Sequence, residues 1–204
     1  MPDQLRYNSD IHHRRSVRLK AHDYSLAGAY FVTVCTQNRE CMFGKIHNAK
    51  MILNDAGRMV QGVWDKLPVR YPGVQTDAFV IMPNHIHGII VLTGTTQRRG
   101  ESRIRPRPGD HKDRPYGTLP GTIGRVMQGF KSITTRKYIR GIVEYNWPPF
   151  EKRLWQRNYY ERVVRDDSEM HRVREYVTGN PAGWLEDEEN PVHSVRTTGR
   201  SPVP

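Results

Sequence analysis

The sequence predicts an α+β fold, a small antiparallel sheet with helices packed on one face. Three observations predict it. Residues 30–36 and 85–92 are strand-length runs of β-branched, aliphatic and aromatic residues. Residues 56–67 and 123–133 carry apolar side chains at helical spacing instead. The two kinds of segment alternate along the chain, which suits one layer of strands beneath one layer of helices.

Each element follows from its own residues. Residues 1–25 are polar, with the basic cluster His12, His13, Arg14, Arg15, Arg18 and Lys20, and read as an arm that lies on phosphates. Tyr30-Phe31-Val32-Thr33-Val34-Cys35-Thr36 is the first strand. Residues 43–46 and 50–53 form a hairpin around His47-Asn48-Ala49. Asn54 caps a helix whose apolar face is Ala56, Met59, Val60, Val63, Trp64 and Leu67, and Pro68 with Tyr71-Pro72-Gly73 ends it. Residues 77–82 and 85–92 are apolar strands separated by a break at Pro83. Between 95 and 118, seven Arg and Lys residues are interleaved with Gly and Pro around a single large aliphatic residue, Ile104. Such a segment buries too little surface to offset chain entropy, so it is read as a flexible insertion.

Helical spacing returns over residues 119–138 through Ile123, Val126, Met127, Phe130 and Ile133. A Trp147-Pro148-Pro149-Phe150 segment leads into Leu154-Trp155-Gln156-Arg157-Asn158-Tyr159-Tyr160. A short helix is expected over residues 161–165, and then a last helix, capped by Asp167 or Ser168 and stopped by Asn180-Pro181. The expected organisation is an arm (1–25), one domain (26–184) carrying the insertion, and a solvated tail (185–204).

The net charge is +11 and the pI near 9.9. Lysines and arginines that neutralise phosphates release condensed counterions, so this balance favours a polyanionic partner without identifying one. Cys35 and Cys41 match neither a zinc spacing nor a disulfide framework, and a reducing cytosol is the simplest home. No apolar leader or run long enough to cross a bilayer occurs, so no membrane partner is expected.

Two short stretches can carry chemistry. In Met82-Pro83-Asn84-His85-Ile86-His87-Gly88, residues two apart on a strand share a face, so His85 and His87 project together. Paired imidazoles inside an otherwise apolar strand are candidate metal ligands, because polar groups are costly to bury there without a partner. In Leu154-Trp155-Gln156-Arg157-Asn158-Tyr159-Tyr160-Glu161-Arg162, a tyrosine can serve as a nucleophile toward phosphorus, with Arg157 and Arg162 holding phosphate or lowering its pKa. Taken alone, the paired tyrosines read first as aromatic packing at the start of a helix.

Together the stretches resemble a known family. The strand MPNHIHGI, the later LWQRNYYERVVRD, a closing helix ending in NP, the opening HRRSVRLKAHDYSLAGAYFVTVCTQNRE and the helices LNDAGRMVQGVWDKLP and GRVMQGFKSITTRKY look like REP-associated tyrosine transposases. These are relatives of the HUH single-strand transposases of bacterial insertion sequences. The resemblance covers residues 12–184.

It implies a ferredoxin-like, HUH-endonuclease type of fold, with the histidine pair on a central strand and the tyrosine on a helix near the C-terminus. It implies metal-dependent cleavage and rejoining of single-stranded DNA beside a hairpin, with a 5′-phosphotyrosine intermediate and a free 3′-OH. His85 and His87 would bind Mg or Mn. Through a Trp-x-x-x-Tyr pattern it selects Tyr159 as nucleophile ahead of Tyr160. Relatives carry a polar residue one turn after the tyrosine, often His or Gln. After Tyr159 that turn offers only Arg162 and Val163, leaving Glu161 or water as substitutes.

DNA contacts are expected from Arg14, Arg15, Arg18 and Lys20 of the arm, from Arg125, Lys131, Arg136 and Lys137 on an exposed helix side, and from Arg157. The expected setting is the bacterial cytoplasm, at the nucleoid, with monomer and homodimer both open. Two alternatives stand beside this reading: a non-catalytic hairpin-DNA-binding protein on the same fold, and an RNA-binding module. The second wants aromatic residues on the exposed sheet face, and no suitably spaced pair occurs on the central strands.

Overall fold

The computed structural model describes residues 26–94 and 121–192. The arm with Arg14, Arg15, Arg18 and Lys20, the insertion and the chain end beyond residue 192 lie outside the described residues. The strands are β1 (Gly28–Cys35), β2 (Gly44–His47), β3 (Lys50–Leu53), β4 (Val74–Ile81), β5 (His85–Leu92) and β6 (Tyr160–Val164). The helices are α1 (Asp55–Trp64), α2 (Leu67–Arg70), α3 (Ile123–Tyr145) and α4 (Asp167–Gly179).

The main sheet is antiparallel in the order β4-β5-β1-β6, and β2-β3 form a separate hairpin. With α1 between β1 and β4 and α3 between β5 and β6, this is the βαββαβ ferredoxin-like topology. The expected α+β class and antiparallel sheet hold. The expected short helix at 161–165 is instead β6. Its Val163 and Val164 suit a pleated surface, and the open edge of β1 takes them in register, Tyr30 opposite Val163.

Strand alternation divides the molecule. Tyr30, Val32 and Val34 of β1, with Ile86 and Ile90 of β5, face α1 and α3 and form the larger core with Trp64, Val126, Met127 and Phe130. Phe31, Ile89 and Val164 point the other way, into a smaller core with Val173 and Val177 of α4. Helices α1 and α3 thus share one face, as the alternating pattern predicts, and α4 is an addition that covers the opposite face.

Local signals set the helix ends. Asn54 accepts a hydrogen bond from Gly57 N (2.9 Å) and starts α1. Thr122 caps α3, which runs past the expected end at residue 138 until Asn146 turns left-handed (φ 53°, ψ 39°). Asp166 caps α4 through Glu169 N, one residue before the expected cap. Two ion pairs then fix α4 on the sheet. Arg174 grips Asp77 through both carboxylate oxygens (2.8 and 2.7 Å), and Arg162 of β6 meets the buried Glu169 (2.5 Å). Asp77 sits in a β-bulge, where Asp77 and Ala78 oppose the single Ile89, so the register shift re-aims its side chain.

Candidate metal centre and its tyrosines

The centre forms on the α4 face of the sheet, where β5 carries His85 and His87 side by side. Their rings approach Nε2 to Nε2 at 3.0 Å, and both are buried. Asn84 determines how His85 is held. Both hydrogens of its amide nitrogen are used by main-chain carbonyls, those of Arg39 (3.0 Å) and Glu189 (2.7 Å). Its Oδ1 is therefore the atom facing His85 Nδ1 at 2.8 Å, so Nδ1 carries the proton and donates it. In a neutral ring that leaves a lone pair on His85 Nε2, aimed into the centre. His87 Nδ1 lies 2.8 Å from Thr33 Oγ1, and its ring stacks on Phe31 at 5.5 Å. Burial holds both imidazoles neutral, pushing His85 down to about 2 and His87 to about 4.

Gly88 follows the pair for a steric reason. A Cβ there would stand 2.5 Å from the Trp64 ring, which stacks on Phe79 at 4.2 Å. The close approach of the β5 main chain to that indole fixes the strand that bears the histidines.

Three groups complete the centre, and all come from the C-terminal part of the chain. Asp187 brings Oδ2 to 3.6 Å from His85 Nε2, and one ligand atom from each of His85, His87 and Asp187 lies within 4.8 Å of the others. Tyr176 of α4 places its hydroxyl 3.4 Å from His87 Nε2. Asn180, one turn further on, hydrogen-bonds Tyr176 and lines the same cavity of about 840 Å³. Residues 185–192 are thus no solvated tail: Asp187 and Asn190 pack inward, and Glu189 O is bound to Asn84.

The residues present fit a divalent cation. Asp187 Oδ2 and Asn180 Oδ1 are buried and have no hydrogen-bond partner among the described residues, a costly state that a cation relieves. Burial, and then Glu189 and Glu188, push the Asp187 carboxyl above its usual range. Two neutral imidazole nitrogens with carboxylate and amide oxygens form a mixed donor set of the kind that first-row divalent ions accept.

The structure separates the two expected tyrosines. Tyr160, opposite Thr33 on β6, faces the histidine side, lines the cavity and is 41% exposed. Tyr159 packs against the larger core, on the α1 and α3 side. The phenol brought to the histidines is that of Tyr176, which the Trp-x-x-x-Tyr pattern passes over. One signal for it stood in the sequence: Tyr176-x-x-x-Asn180 has the polar residue one turn later that Tyr159 lacks. Nothing comparable marked Asp187, which reads as one of a run of acids.

The expected cationic contacts fall into two groups. Arg125 pairs with Gln128 on the surface, and Lys137 is exposed. Lys131 is turned inward onto the carbonyls of Gln156 (2.5 Å) and Arg157 (3.0 Å). Arg136 and Arg157 line a second cavity with it. No helix among the described residues is long and apolar enough to cross a membrane.

No family model matches the chain. A protein of Haemophilus influenzae provisionally named a REP-associated tyrosine transposase is 24% identical over 166 residues, covering 80% of this chain and 77% of that protein. Among solved structures, a REP-associated tyrosine transposase bound to a REP hairpin gives a TM-score of 0.48 at 18% identity, covering 83% of this chain and 77% of that one. A protein from Deinococcus radiodurans provisionally named a transposase gives 0.43 at 11% identity, covering 79% and 96%. An uncharacterized protein of Haemophilus influenzae is 40% identical over 183 residues, spanning 90% of this chain and 96% of its own length. The chain belongs to the same family as that uncharacterized protein.

Proposed function

We propose that this protein cleaves and rejoins single-stranded DNA beside hairpins in a metal-dependent reaction, with Tyr176 as the nucleophile and His85, His87 and Asp187 as metal ligands. The observation that carries the reading is the Tyr176 hydroxyl, 3.4 Å from His87 Nε2 at the edge of a cluster able to hold a metal. The motif resemblance and the name of the relative at 24% identity point to the same chemistry.

The oxygen of Tyr176 attacks phosphorus, the bond from phosphorus to the 3′ oxygen breaks, and that oxygen leaves with a proton as a free 3′-OH. The DNA remains joined to the enzyme as a 5′-phosphotyrosine. Attack by a 3′-OH on that ester reverses the step and rejoins a strand, so no external energy source is needed. When bound, a divalent cation such as Mg or Mn polarises the scissile phosphate.

The chain's own residues prepare this step. Burial, followed by Asp187, raises the Tyr176 pKa, so the metal-free site keeps the phenol protonated, while the Asn180 amide donates to its oxygen and favours the phenolate. Two ion pairs hold α4, and with it the nucleophile, on the sheet. Tyr160, exposed and edge-on to the buried Phe31, presents aromatic surface on the histidine side, suited to stacking an unpaired base.

The test is a cleavage assay on end-labelled single-stranded hairpin oligonucleotides with Mn, Mg or EDTA. Wild type should give a metal-dependent, SDS-stable adduct that Tyr176→Phe and His85→Ala abolish and Tyr159→Phe retains. Loss of the adduct in Tyr159→Phe with retention in Tyr176→Phe would overturn the assignment. Hairpin binding without any adduct would replace the enzyme with a binding protein on the same fold.

A further inference from the structure

The surroundings of the metal centre disfavour a phosphate backbone. Its cavity is lined by Glu169, Glu175, Glu186, Asp187, Glu188 and Glu189 against only Arg162 and Arg172. That excess of acid suits a cation and repels a phosphate backbone. A protein that handles DNA with such a site must hold the polyanion elsewhere.

The second cavity, about 500 Å³, has the opposite character. Lys131, Arg136, Lys152, Arg153 and Arg157 line it, and no acidic residue does. It lies between α3 and residues 150–157, and Arg136, Lys152, Arg153 and Arg157 are all exposed. Among the described residues, none of those four enters an ion pair, whereas Arg140, one turn on from Arg136, is paired with Glu144 (2.7 Å).

The wall is built rather than fortuitous. Lys131 is largely buried with its ammonium on the carbonyls of Gln156, Arg157 and Asn158. It thereby pins the turn that presents Arg157. Lys152 adopts a left-handed main chain (φ 56°), a conformation that costs energy outside glycine and directs its side chain at a bend.

We infer that this groove is the docking site for the duplex stem of a DNA hairpin, with Arg136, Lys152, Arg153 and Arg157 on its phosphates and Lys131 as a positioning residue. The inference rests on the DNA-processing reading of the metal centre. Duplex is favoured over single strand because the aromatic rings here are spent in the core. Trp155 is buried with its indole N–H on Thr134 Oγ1 (2.8 Å), and Phe150 packs on Tyr138. Cations without a free stacking ring contact backbones rather than bases.

Reach is also adequate. Gln156 N bonds Cys35 O, and Cys35 stands opposite His85, so the main chain of the groove wall runs two strand spacings, about 10 Å, from that of His85, with the groove on the α3 side of the sheet and the histidine rings on the other. One hairpin can rest its stem in the groove and lead its flanking strand past β6 to the tyrosine.

The test measures binding of a fluorescent hairpin, with a stem of about one helical turn, and of a stem-free strand of matched length. EDTA is present and salt is varied. Since each phosphate contact contributes about one to the slope of log affinity against log salt, the triple variant Arg136→Ala, Arg153→Ala, Arg157→Ala should lower the hairpin slope by about three. Its affinity should fall alike for every stem sequence, with stem-free binding little changed and Arg140→Ala behaving as wild type. An unchanged slope in the triple variant, equal losses for hairpin and stem-free strand, or no hairpin binding by wild type would each overturn the groove. The adduct assay separates the two readings. Groove-dependent binding with no adduct under any metal leaves the groove standing and removes the nuclease. An adduct whose hairpin dependence survives the triple variant does the reverse.

Discussion

Replacing Gly88 with alanine tests whether the contact of β5 with Trp64 holds the histidine strand in place. The new Cβ would sit 2.5 Å from two carbons of the indole and 3.0 Å from the Phe79 ring. Comfortable carbon contacts lie at about 3.5–4.0 Å, so the indole would have to withdraw by about 1 Å. It has no free direction: Trp64 is buried, stacked on Phe79 at 4.2 Å and met edge-on by Phe130 at 5.8 Å. Overpacking of this kind costs about 1–3 kcal/mol, which for a chain of this size lowers the melting temperature by roughly 2–4 °C per kcal/mol. Because His87 is the preceding residue, the strand shift should weaken metal binding as well. Thermal unfolding by circular dichroism measures the first effect and calorimetric titration with Mn the second. Adding Trp64→Leu, which opens space at the contact, should make the double variant more stable than the sum of the single losses by at least about 1 kcal/mol. A Gly88→Ala protein that melts within a degree of wild type, or losses that simply add, would refute the steric account.

Three further predictions follow from the same geometry. Asn84→Ala removes the acceptor that fixes the His85 proton on Nδ1, and metal affinity measured by titration should fall about 10–100-fold, as for other groups that orient a ligand. Arg174→Ala breaks a largely exposed pair, so chemical denaturation should show little loss of stability, whereas adduct yield should fall several-fold as α4 loosens; an unchanged adduct yield would argue against a positioning role. In the metal-free protein, His85 and His87 have folded-state pKa values below the unfolded value of 6.5, so the unfolded chain binds more protons below that pH. Stability should therefore be fully present above pH 6.5 and fall between 6.5 and 4, by up to about 1.4 kcal/mol per pH unit for each histidine, and His87→Asn should remove part of that slope.

The strands β1 and β5, the β2-β3 hairpin, and helices α1 and α3 were legible because each carries a complete period of apolar residues. The histidine pair was legible for the same reason, since period two places both rings on one face whatever the rest of the fold does. Segment 161–165 misled because Glu161, Arg162 and Arg165 imitate a solvated helix, while the partner that makes it a strand, the open edge of β1, lies far away in sequence. Tyr176 and Asp187 were hidden by a related cause. Helix α4 packs on the sheet face left uncovered by α1 and α3, and its docking is written in single ion pairs, Arg174 with Asp77 and Arg162 with Glu169, that no local pattern announces. Asp187 belongs to an acidic run whose composition resembles an exposed tail. Contacts from far away in sequence turn the run inward: Asn84 binds Glu189 O, and Arg39 binds Glu188 O and the Glu189 carboxylate.

The tether from Asn84 to Glu189 O sets when the centre is completed during synthesis. The centre draws on Thr33, Asn84, His85 and His87 from the first half of the described chain and on Tyr160, Tyr176, Asn180 and Asp187 from the second. Ribosomes deliver the first group early, and α1 with β1, β4 and β5 already forms a partial sheet around the histidine pair. Pairing of β6 with β1 must close a loop across most of the molecule, a contact of high sequence separation that forms late. Until then the histidines stand on an open sheet face with neither the phenol nor the carboxylate beside them. The centre is therefore completed in one late step, with the docking of α4 and the fold-back of residues 184–190, and a nascent or C-terminally clipped chain presents an incomplete one.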